Sequence, residues 1–74
     1  MISYSKGDSV VLICDGRTVD AKVLMGNQAG VLVGFDAIVG GYVGSMPLRV
    51  RDATLGLYCS VDGTEVVIRG KLSS

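Results

Sequence analysis

Two Asp-Gly dipeptides, each set between apolar runs, constrain this chain more than any other feature. "SVVLIC" (9–14) precedes Asp15-Gly16 and "RTVDAKVLM" (17–25) follows it. "LYCSV" (57–61) precedes Asp62-Gly63 and "TEVVIR" (64–69) follows. A two-residue type I′ turn needs positive φ at both central positions, and its twist matches that of the strands it joins. Asp-Gly meets that need, so each unit is predicted to be a β-hairpin. In the first, Val19, Ala21, Val23 and Met25 share one face, with Thr18, Asp20 and Lys22 on the other. In the second, Leu57, Cys59 and Val61 face the same way as Val66 and Ile68.

The middle of the chain continues in the same period. "GNQAG" (26–30) reads as a turn. "VLVGF" (31–35) reads as a strand with Val31, Val33 and Phe35 on one face and Gly34 at a bend. "MPLRVR" (46–51) alternates, with Met46, Leu48 and Val50 inward and Pro47, Arg49 and Arg51 outward. Pro47 cannot donate to a ladder, so it belongs at a strand start or on an edge. "DATLG" (52–56) is a connection with room for one helical turn, and residues 70–74 read as a frayed tail. No window keeps the i, i+3, i+4 spacing of a long amphipathic helix. The fold expected is all-β: a single small barrel over residues 1–74, of five or six antiparallel strands. Its predicted core is Val10 or Val11, Leu12, Val19, Ala21, Val23, Val31, Val33, Phe35, Leu48, Val50, Leu57, Cys59, Val61, Val66 and Ile68.

Composition matters for what such a barrel leaves outside. A chain of 74 residues buries only roughly 60% of the surface its unfolded form exposes. With 49% hydrophobic residues, some apolar side chains stay on the surface, and a patch of them favours self-association. A homo-oligomer is therefore expected. Seven Lys+Arg balance seven Asp+Glu, which counts against nucleic acid and against an electrostatic membrane anchor. Cys14 and Cys59 lie in apolar runs, and no signal-peptide pattern or membrane-length apolar run is present. Two reduced thiols in a cytoplasmic protein are the expectation. A disulfide between them stays open should their strands be neighbours.

"KGDSVVLICDGRTVDAKV" resembles the opening of SH3-like small barrels, with a Gly-Asp entry, an apolar strand, a loop and a second strand. The pairing of "DGRTVDAKV" with "GGYVGSMP" is also similar to short uncharacterised bacterial and phage-associated proteins, a resemblance that implies no activity. Among SH3-like barrels, the plasmid-encoded type II dihydrofolate reductases build one active site in a tetramer pore. Their Val-Gln-Ile-Tyr run is absent, and the region that aligns reads "GSMPLRV".

Catalytic and metal chemistry find little to work with. There is no histidine, which removes the usual general base and the commonest zinc ligand. The two cysteines form no C-x-x-C pair, and the carboxylates show no D-x-D spacing. Asp15 and Asp62 serve turns, Asp8 a strand entry, and Asp36 a turn cap. No catalytic residue, metal or cofactor is expected, and the chain is read as not an enzyme.

The segment "AIVGGYVGSMP" (37–47) stands apart as a glycine-rich loop. It lacks the lysine and the following helix of a phosphate-binding loop. One reading makes it a corner, with Tyr42 and Val43 folded back over an open barrel end. Another makes it an interaction surface, with Tyr42, Val43 and Met46 packed on a partner or a second copy. The function expected is a non-enzymatic protein-interaction or structural module that self-associates through or near residues 37–47. The alternative is a small nucleic-acid-binding barrel, with Arg49 and Arg51 on phosphate and Tyr42 stacking on a base.

Overall fold

A computed structural model of the protein describes residues 4–70. The described residues contain no helix and form β1 (Ser9–Cys14), β2 (Arg17–Gly26), β3 (Gly30–Val39), β4 (Tyr42–Asp52), β5 (Leu57–Cys59) and β6 (Glu65–Gly70). Every neighbouring pair is antiparallel, and pairing of β1 with β6 closes the sheet in chain order. Closure satisfies backbone groups that an open sheet of this size would leave on two long edges. The expected all-β barrel is thus present, with six strands. Of the tail assigned to 70–74, Gly70 ends β6 and the rest lies outside the described residues.

Two hairpins use the two-residue turn. Cys14 pairs with Arg17 across Asp15 (φ 55°) and Gly16 (φ 77°). Val39 pairs with Tyr42 across Gly40 (φ 56°) and Gly41 (φ 86°). The second of these corrects the loop expected at 37–47. That segment is the tip of a long hairpin, with Ile38 opposite Val43 and Gly34 opposite Ser45. A register shift between Gly34 and Ile38 disturbs the alternation there and hides the strand in the sequence. β3 therefore runs on past Phe35, and β4 begins before Met46.

The third hairpin departs from its prediction in register. Ser60 donates its backbone N–H to the Thr64 carbonyl (2.9 Å), and Gly63 donates to the Ser60 carbonyl (3.0 Å). The loop is thus the three residues Val61, Asp62 and Gly63, with positive φ only at Gly63. This is the turn-plus-bulge form of a hairpin. One extra loop residue changes which side of β5 meets the core. Tyr58 now pairs with Val66 and is buried, while Leu57 pairs with Val67 and Cys59 with Glu65. The inward placement of Leu57, Cys59 and Val61 is overturned: the first two are half-buried, and Val61 is 77% exposed.

The core is a single cluster that fills the barrel. Val10, Leu12, Val23, Val33, Met46, Val66 and Ile68 are its most enclosed members, joined by Ala21, Val31, Val39, Leu48 and Tyr58. Tyr4, Val19, Phe35, Tyr42 and Val50 pack against it from the margins. Met25, expected inward, is exposed because a bulge between Val23 and Met25 breaks the phase of β2.

Candidate interaction surface

The side chains expected to form a contact surface separate once the hairpin is seen. Met46 is fully buried in the barrel, as its inward alternation with Leu48 and Val50 implied. It has no surface to offer a partner. Tyr42 is half-buried against the core. Val43 is 75% exposed, and its cross-strand partner Ile38 is 68% exposed. The exposed apolar side chains at this tip are therefore Val43 and Ile38. Ile38 escaped the sequence reading because the bulge breaks the period that would have assigned it a face.

Arg49 and Arg51 are exposed on the outer face of β4. Arg51 Nη1 donates to Glu65 Oε1 at 2.7 Å. Tyr42 is half-buried and packs against the core. A stacking aromatic beside two free cations is not what this strand presents.

A second apolar feature crosses the outside of the barrel. Met25 lies opposite Leu32, and Leu32 lies opposite Pro47. β5 pairs with β4 through Arg49 and Cys59, which carries Val61 alongside Pro47. Leu24 flanks the row. These residues line a shallow groove of about 700 Å³, with Lys6 and Arg49 at its margins. Leu32 was legible as an outward leucine, since Val31 and Val33 face in. Met25 and Val61 were not, because a bulge places the first and a turn type the second.

A second concavity, of about 540 Å³, lies at the barrel end where hairpin turns converge. Cys14, Val19 and Val39 form its apolar wall, with Arg17, Asp15 and Glu65 around them. Glu65 is already engaged by Arg51. Cys14 and Cys59 are free thiols. β6 lies between their strands, so they are not sheet neighbours.

Among the described residues, three groups have shifted pKa values. Burial raises the Tyr58 phenol, with Tyr4 adding to the rise. Burial also raises Tyr4; Asp8 reinforces the shift and Arg69 opposes it. The Asp62 carboxyl is held low, first by the Ser60 hydroxyl, then by the Thr64 N–H and hydroxyl that donate to it. All three are explained by packing or by a turn. Among the described residues no three His, Cys, Asp or Glu side chains cluster as metal ligands, and no helix is long and apolar enough to cross a membrane.

Comparisons with protein-family models, with curated proteins and with solved structures return no match for this chain.

Proposed function

We propose that this chain is a non-enzymatic interaction module, an SH3-like small barrel that self-associates through apolar side chains at the β3–β4 hairpin tip and on the outer face beside it. One observation carries the reading. Met25, Ile38, Val43 and Val61 are each more than two-thirds exposed, and they belong to continuous apolar features rather than to scattered positions. Contiguous exposed apolar surface on a small soluble barrel marks a contact site, because isolated exposure would leave its hydration cost unrelieved. The free thiols fit the reducing cytoplasm. The likeness to short bacterial and phage-associated proteins rests on the sequence stretch alone and adds no activity.

Light scattering over a hundredfold range of protein concentration tests the proposal. The weight-average mass should rise with concentration, and Val43→Asp should lower it without loss of fold. A strict monomer at the highest concentration ends the proposal. The nucleic-acid alternative has weaker support, because Arg51 is paired and Tyr42 is half-buried against the core. A gel shift at low salt that weakens as salt is added would revive it.

A further inference from the structure

We infer that the outer groove receives the β3–β4 hairpin tip of a second copy, so that the chain associates head to tail. This rests on the self-association proposed above and adds which two surfaces meet. The groove is walled by Leu24, Met25, Leu32, Pro47 and Val61. Lys6 and Arg49 stand at its margins, and no acidic residue lines it among the described residues. Neither cation has a carboxylate partner among them. An occupant therefore has to bring apolar side chains together with negative charge.

The hairpin tip has that combination. Ile38 and Val43 stand opposite one another and project from it. Asp36, two residues before Ile38, is exposed and has no partner among the described residues. Asp15 and Arg17 both line the barrel-end cavity beside Ile38, and Glu65 there is paired with Arg51, so Asp36 is the acid the tip offers. A groove-to-groove contact of two-fold symmetry would instead bring Lys6 and Arg49 of both copies into one interface with no acid from either groove to offset them.

No residue between 36 and 45 lines the groove. One copy can therefore give its tip and receive another at the same time. Such a heterologous contact repeats, and it closes into a ring or runs on as a filament.

Two double variants split the contact. Ile38→Asp with Val43→Asp removes the tip and keeps the groove. Met25→Asp with Val61→Asp removes the groove and keeps the tip. All four side chains are exposed, so both variants should keep the wild-type circular dichroism and a cooperative thermal transition. In sedimentation velocity the wild type should exceed a dimer as concentration rises, and each variant alone should remain a monomer. Their equimolar mixture should form a dimer, with one intact tip in one intact groove. Separately, Arg49→Glu should weaken assembly at least threefold, and Asp36→Lys in the same chain should restore it. A tip variant that dimerises alone, a mixture that stays monomeric, or a charge swap without rescue overturns the head-to-tail contact while self-association stands. A wild type that is monomeric throughout overturns self-association itself.

Discussion

Met46 and Val43 lie three residues apart on β4, one fully enclosed and the other 75% exposed. Truncating a buried Met to Ala removes transfer energy and leaves a cavity, at a cost of about 2–5 kcal/mol. A domain of this length holds only about 4–11 kcal/mol in total, so Met46→Ala should lower the urea midpoint sharply, whereas Val43→Ala should barely move it. Gly30 has a different sensitivity. A Cβ there would run into the Leu48 carbonyl on the paired strand, and backbone cannot yield as a side-chain end can. Gly30→Ala should therefore cost about 1–3 kcal/mol in the same measurement. Tyr58 and Tyr4 set the alkaline limit. Their folded pKa values lie above the unfolded value of about 10, so the folded state binds more protons in that range. Their contribution is complete below the unfolded pKa and is lost as pH rises through the folded one. Chemical denaturation should thus give falling stability above about pH 10, and tyrosinate absorbance in the native protein should show phenols titrating late.

At the scale of elements, one dipeptide makes two different turns. Asp15-Gly16 adopts positive φ at both residues, whereas at Asp62-Gly63 only the glycine does. The difference lies in the neighbours. Ser60 and Thr64 both donate to the Asp62 carboxylate, and the Ser60 hydroxyl oxygen accepts from the Thr64 N–H at 3.0 Å. That network draws Ser60 inward, where it is buried, and Val61 becomes a loop residue. Deleting Val61 leaves Asp62-Gly63 as a two-residue connection between the same pair, Ser60 and Thr64. The variant should keep the Tyr58–Val66 pairing, visible as cross-strand nuclear Overhauser contacts; a solvent-exposed Tyr58 would refute this account of the turn. Pro47 also follows from register. Val50 donates to the Ala29 carbonyl (2.9 Å), which sends the N–H groups of even-numbered residues in this part of β4 toward β3. The nitrogen of Pro47 points to the other side, away from β3, so its missing N–H leaves no gap in the β3–β4 ladder.

At the scale of the whole molecule, a barrel this small encloses about a dozen side chains, and nearly half of the chain is hydrophobic. The surplus has to lie outside, in the row that includes Met25, Leu32 and Val61, at the hairpin tip, and at Leu55 in the connection after β4. If copies cover one another there, assembly is linked to folding by mass action, and the melting temperature should rise with protein concentration for the wild type but not for the tip variant. Much of the architecture was legible in the chain. The apolar run at 9–14 and the alternation in 17–23 and 46–51, with Asp15-Gly16 between two strands, carry the all-β barrel and most of its core, because a period of two and a turn preference act over a few neighbouring residues. What the residues could not disclose was phase after each irregularity. The bulge beyond Val23 turned Met25 outward, the shift after Gly34 turned a glycine-rich loop into a hairpin, and one extra loop residue exchanged Leu57 for Tyr58 inside the barrel. These depend on which residues meet across strands when the barrel closes, a non-local contest for a small interior, and the same contest decided which apolar side chains were left outside it.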